Sequence, residues 1–120
     1  MAYRLAIEVK LDLEGLHQWQ ECPINEVSYL KYLHRHRFVN RARRQVSHEQ
    51  RDVEFIEFKH QLEGYLKERY YDSQYKCLNF GNLSCESIAR DLFEQFKLER
   101  CSVSEDDEFT SIITRKCSTK

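Results

Sequence analysis

The residues of this chain whose types and spacing could do chemistry are three histidines. His17 stands alone, while His34 and His36 form a His-Arg-His. Side chains alternate faces along a strand, so in extended backbone His34 and His36 point the same way and could grip one ion together, with His17 as the third ligand. Three neutral imidazoles without a fourth protein ligand leave one coordination position open, the arrangement of a catalytic zinc rather than a structural one. His48 and His60 fall at the approach to a helix and on a helix flank, where a histidine is ordinarily solvated or packed, and they stay outside this set.

The elements that must position these residues follow from periodicity. From Tyr3 to Leu13 the odd positions read Tyr, Leu, Ile, Val, Leu, Leu, with mostly polar residues between, which predicts a long amphipathic strand. Leu16 to Trp19 continues it or turns out of it, and Glu21 to Asn25, with Pro23, reads as loop. A second strand over Leu33 to Val46 puts His34, His36, Phe38, Asn40 and Ala42 on one face and Arg35, Arg37, Val39, Arg41 and Arg43 on the other. Past Ser47 the period changes, and Phe55, Ile56, Lys59, Leu62, Leu66 and Tyr70 predict a helix from Val53 to Arg69. Leu78 to Asn82 is turn material, Ser84 is a fitting N-cap, and a second helix runs from there to about Lys97. From Arg100 to Arg115, β-branched residues flank the acidic Glu105-Asp106-Asp107-Glu108, which predicts two short strands joined by a turn.

Two strands, two helices and two strands make a single α+β domain over residues 1–120, a four-stranded antiparallel sheet covered on one face by two helices. The other face carries arginines and acids and must meet water or another subunit. Free sheet edges tend to be completed by neighbouring copies, which predicts an oligomeric barrel with the arginine row lining its channel.

Composition narrows the classes. Nineteen Lys and Arg against twenty Asp and Glu give a formal net charge of -1, so any basic surface must be local. The five cysteines, Cys22, Cys77, Cys85, Cys101 and Cys117, are odd in number and lack a Cys-x-x-Cys spacing, which fits reduced thiols in a cytoplasm better than a disulfide framework or zinc ribbon. Apolar runs of only a few residues indicate neither export nor membrane spanning.

With these elements in place, the chain resembles the tunnelling-fold pterin enzymes, 6-pyruvoyltetrahydropterin synthase and 6-carboxytetrahydropterin synthase. Leu13-Glu14-Gly15-Leu16-His17 is similar to the family's Phe-Glu-Ala-Ala-His, and Leu33-His34-Arg35-His36-Arg37-Phe38 to its Leu-His-Gly-His segment, both of which carry zinc ligands. Val53-Glu54-Phe55 with Phe58-Lys59 resembles the opening of its first helix. Leu78-Asn79 and Leu83-Ser84-Cys85-Glu86 resemble its Leu-Asn and Pro-Thr-Ser-Glu, and Val103-Ser104-Glu105 the strand that ends in its pterin-anchoring glutamate. The resemblance implies a zinc-dependent lyase acting on 7,8-dihydroneopterin triphosphate, built as trimers stacked into a hexamer, with relatives in 7-deazaguanine (queuosine) and tetrahydrobiopterin synthesis. Glu105 would hold the 2-amino-4-oxo ring, its two oxygens accepting two parallel donors.

The family pattern is broken at its acid/base positions. Its cysteine falls here at Leu30, its Asp-His pair at about Gln74-Tyr75 with Asp72 close by, and the glycine between the metal histidines is Arg35. Cys22, Asp72, Tyr75 and Cys77 are the candidates to replace the missing groups. Two further readings are a pterin- or purine-binding protein without turnover, and a nucleic-acid-binding protein using the arginine face. Balanced charge and the lack of an aromatic pair on that face weigh against the last, and acids of the first strand such as Glu8 can pair with the arginines across the sheet. Glu86 reads as a complement to a helix dipole and Cys85 as a small buried filler.

Overall fold

A computed structural model of the chain describes residues 2–116; Cys117 lies outside them. Two strands of thirteen residues each, β1 (Leu5–His17) and β2 (His34–Val46), pair antiparallel along their whole length, from Leu5 opposite Val46 to His17 opposite His34. Between them, just past the loop expected over Glu21 to Asn25, lies a 3-10 helix, Asn25–Lys31, which no periodicity had marked. The rest runs α1 (Phe55–Tyr70), β3 (Tyr71–Asp72), β4 (Cys77–Asn79), α2 (Cys85–Gln95), β5 (Arg100–Glu105) and β6 (Phe109–Thr114).

The α+β class stands, but the sheet has six strands rather than four, in the order β3-β4-β1-β2-β5-β6. The expected ββααββ order is interrupted by the β3–β4 hairpin between the helices, and β4 pairs parallel to β1. Strands of two and three residues are too short to show a period-2 pattern, which is why turn residues masked them. Lys76 closes this hairpin with a φ of 56°.

The alternation read along β2 holds. Phe38, Asn40 and Ala42 are buried on the face that meets the helices, alongside Val9 and Leu11 of β1 and Cys101 and Val103 of β5. From α1 come Phe58, Leu62 and Leu66, and from α2 Ile88, Ala89 and Leu92. Asn40 is wholly buried with neither amide atom partnered in the protein, a burial that ordinarily costs about 1–3 kcal/mol. The molecule measures 51 × 36 × 21 Å, and its shortest dimension admits just two layers, one of sheet and one of helices.

On the opposite face Arg43 pairs with Glu8 at 3.0 Å, Arg37 with Asp12 at 2.7 Å and Arg41 with Asp107 at 3.6 Å, while Arg35 pairs with Glu14. These partly exposed pairs add little stability, but they neutralise the arginine row. The helices are tied to each other by Asp91, which accepts from Tyr65 Oη at 2.7 Å and from Tyr70 Oη.

Two expectations follow. A Cβ at Gly15 would lie 2.9 Å from Phe38 Cδ2 and 3.0 Å from Phe80 Cε2, so Gly15→Ala should cost about 1–3 kcal/mol in urea unfolding. A cost under roughly 0.5 kcal/mol would show that the rings have room. Burial first, then the bond to Asp91, push the Tyr65 phenol up to about 12. Its folded pKa exceeds its unfolded value, so its contribution to stability is whole below about pH 10 and lost as pH rises towards 12. An ultraviolet phenolate titration should find Tyr65 ionising late, and earlier in Asp91→Ala.

Candidate metal centre

The β1–β2 register sets His17 directly opposite His34, and His36 shares their side of the sheet, opposite Gly15. The three rings stack edge to face with centroids 4.6 to 5.5 Å apart. Phe38 forms the floor, its ring centroid 5.2 Å from that of His17 and 5.8 Å from that of His36. Gly15 has no side chain, which is what lets Phe38 and Phe80 close beneath the imidazoles.

Each ring is held through Nδ1. His17 Nδ1 donates to the Leu83 carbonyl at 2.9 Å, His34 Nδ1 to the Tyr32 carbonyl at 2.8 Å, and His36 Nδ1 to Asp106 Oδ2 at 2.7 Å. Carbonyl and carboxylate oxygens only accept, so the ring proton belongs on Nδ1 and the lone pair on Nε2 in all three. One ligand atom from each histidine lies within 4.8 Å of the others, an arrangement that could bind a metal ion. His17 is 7% exposed, and the buried Nε2 atoms of His17 and His36 have no hydrogen-bond partner. Burial depresses the pKa of His34, which keeps its imidazole neutral below the usual range.

Glu105, the last residue of β5, stands beside this cluster. Its Oε2 is 2.9 Å from His17 Nε2 and its Oε1 3.7 Å from His36 Nε2. With the ring protons on Nδ1, an acceptor here faces an acceptor, which is stable only with a proton or cation between them. The three expected histidines do come together, and Glu105, expected as the ring anchor, stands next to them. Ligand atoms about a tetrahedral zinc are about 3.4 Å apart, and the two Glu105 separations straddle that spacing. When a proton fills that gap, contact with His17, and then the positive charges of His36 and His17, hold the Glu105 carboxyl below its ordinary pKa against the opposing effect of burial.

The Asp106 that steadies His36 also accepts from the Arg37 backbone N–H at 2.8 Å, and its own N–H donates to the Arg37 carbonyl at 2.8 Å. It does this in the left-handed region, φ 55°, followed by Asp107 at 57°. Aspartate tolerates that region better than most residues, and such conformations collect where a function fixes them. Asp106 was missed in the sequence except as part of an acidic turn.

A cavity of about 530 Å³ opens onto the histidines, lined among others by His17, His34, Glu105, Cys85, Glu86 and Leu30. The first turn of α2 forms one wall. Ser84 caps it by accepting from the Ser87 N–H at 3.1 Å, and Glu86 accepts from Ser111 Oγ at 3.2 Å. The Cys85 thiol, 3.5 Å from Glu105 Oε2, is pushed up to about 12 by burial first and then by that carboxylate, so it is a protonated filler. Leu30 is brought to the cavity by its carbonyl, which accepts from the Trp19 N–H at 2.6 Å.

None of the four acid/base candidates lines this cavity. Cys22 is buried, its Sγ donating to the Ile24 and Val27 carbonyls at 3.8 and 3.7 Å. Asp72 braces the β3–β4 turn, accepting from Asn79 Nδ2 at 3.0 Å and from the Gln74 and Tyr75 N–H groups. Tyr75 is exposed there and Cys77 buried. His48 and His60 are exposed and remote from the cluster, His48 lying 3.7 Å from Asp52. Among the described residues no helix is long and apolar enough to cross a membrane.

No family model and no curated protein matches the chain. Among solved structures it is similar to an uncharacterized protein from Wolinella succinogenes, with a TM-score of 0.68 and 10% sequence identity over 96% of this chain and 100% of that one. A likeness at that identity speaks for the architecture alone.

Untagged protein should take up about one divalent metal per chain by elemental analysis, and His34→Ala with His36→Ala should abolish it. Asp106→Ala, which removes the brace on His36 together with the acceptor for the Arg37 N–H, should weaken metal affinity roughly 10–100-fold. Unchanged affinity in Asp106→Ala would mean that the brace does not orient the ligand.

Proposed function

We propose that this chain is a zinc-dependent lyase of the 6-pyruvoyl- and 6-carboxytetrahydropterin synthase type, acting on 7,8-dihydroneopterin triphosphate or a related pterin or guanine-like compound. One observation carries the reading: three Nε2 lone pairs converge beside the Glu105 carboxyl at the wall of a ring-sized cavity. Neutral imidazoles suit zinc among other transition metals, and zinc alone adds no redox chemistry. Bound there, zinc would polarise a substrate oxygen and so acidify the neighbouring carbon.

The protein's own groups do the remaining work. His17, His34 and His36 hold the metal with tautomers fixed through Nδ1. Glu105 accepts the amine and ring N–H of a 2-amino-4-oxo ring through its two carboxylate oxygens. Leu30, which the resemblance sets at the position of the family's cysteine, lines the same cavity and offers no side-chain group that could take a proton. In this reading the sheet is a tunnelling-fold subunit whose exposed edges are completed by further copies, as a trimer or hexamer, in the cytoplasm.

The absence of Cys22, Asp72, Tyr75 and Cys77 from the cavity favours a second reading, a zinc protein that binds such a ring without turnover. Zinc-loaded protein mixed with 7,8-dihydroneopterin triphosphate separates the two. Binding seen by calorimetry together with release of inorganic triphosphate is the lyase outcome, and binding without release is the second reading. Failure of pterins and guanine-like rings alike to bind overturns both. Glu105→Gln should weaken ring binding about tenfold or more, the worth of a charge-assisted hydrogen bond.

A further inference from the structure

The far end of the sheet holds a second cavity, of about 690 Å³, whose lining is almost wholly cationic. The antiparallel register gathers it: Leu5 of β1 faces Val46 of β2, Arg43 faces Arg100 of β5, and Arg100 faces Thr114 of β6. Arg43 and Arg44 enter from the end of β2 and Arg100 from the start of β5. Arg115 and Lys116 follow β6, Arg4 precedes β1, and Lys97 follows α2. Glu99 is the sole acid among the lining residues. Arg44 is ten strand residues beyond His34, about 33 Å at ~3.3 Å per residue, so this cavity is separate from the metal centre.

A chain with balanced charge does not collect seven cations and one acid at one place by composition. Of the seven, Arg43 alone has a carboxylate partner among the described residues, Glu8 at 3.0 Å, whereas the arginine row on the open face is paired throughout. Two of the unpaired guanidiniums are held in place by rings: Arg115 lies 4.9 Å from the Phe93 centroid and Arg44 5.8 Å from that of Phe58. Stacking orders the guanidinium while leaving its N–H edge free for an anion. The backbone is ordered too, the Glu99 N–H donating to the Arg43 carbonyl at 2.8 Å and the Arg115 N–H to the Glu99 carbonyl at 3.4 Å. The carboxyl end of α2 lies close by, yet a helix end carries only about half a charge, too little to require this many cations.

The geometry points to a second ligand site, which takes a small molecule carrying several phosphate groups. Guanidiniums in a fixed fork match phosphate oxygens two at a time, and seven cations suit a polyphosphate better than a lone carboxylate. No aromatic side chain lines the cavity, so it offers no platform on which the bases of a nucleic acid strand could stack. The site reads the phosphates and is independent of whatever the metal centre binds.

Calorimetric titration of the full chain with inorganic tripolyphosphate at about 150 mM salt tests this. The expected result is one site per chain, weakened as salt rises. Arg100→Glu and, separately, Lys116→Glu on the chain after β6 should each lower affinity at least about tenfold, with circular dichroism and metal content unchanged. His34→Ala with His36→Ala should leave binding as it was. No binding, equal affinity in both charge-reversed variants, or loss in the histidine variant would overturn the proposal. So would tighter binding of a single-stranded oligonucleotide than of tripolyphosphate, which would make the ligand a nucleic acid.

Discussion

The register of β1 against β2 is the constraint on which the rest depends. Because side chains alternate with a period of two, a slip of one residue would send every side chain of one strand to the opposite face. Val9 and Leu11 would leave the core, and His17 would lie on the face opposite His34 and His36. The pairing therefore specifies core, metal cluster and open face at once. Burial supplies most of the reason it does not slip, since Leu11 is wholly inaccessible in this register and would be traded for Asp12 in the next.

Around that ladder the charges are sorted by place. At one end a carboxylate and three imidazoles share a half-buried corner, along the open face arginines and acids cancel in pairs, and at the other end most of the cations have no carboxylate partner among the described residues. The near-neutral total conceals this separation. A balanced composition argues against a uniformly charged surface, and says nothing of two ends that differ.

What was legible in the sequence was whatever is written in a period. The long strands, the two helices, the Ser84 cap and the opposite directions of the histidines and arginines all follow from spacing, because burial of one face imposes spacing. The 3-10 helix and the β3–β4 hairpin were not legible: the hairpin strands are too short for a pattern, and the helix buries none of its residues and so leaves no apolar stripe. The site divides the same way. The three ligand positions show as His and His-x-His, whereas two of the three braces are the backbone carbonyls of Tyr32 and Leu83, which no residue type announces. Glu105 was found only through a resemblance, and its approach to His17 depends on the end of β5 meeting the end of β1 across β2, a relation between distant segments.

These braces bear on what the site can do. Holding each imidazole through Nδ1 aims three lone pairs inward before any ion arrives, so the ordering entropy of the rings is spent in folding rather than in binding. The groups that would move protons are not prepared in the same way. Cys85 is protonated at any ordinary pH, Leu30 has nothing to accept with, and Asp72 is committed to its turn. Glu105 is the carboxylate on the Nε2 side of the cluster, Asp106 being engaged at Nδ1 of His36. A proton taken from a substrate in this cavity has Glu105 as its nearest destination. Under the proposed lyase reading Glu105 would have both to hold the ring and to take the proton, and one carboxylate cannot serve fully as both in a single turnover unless another copy of the chain supplies the second group.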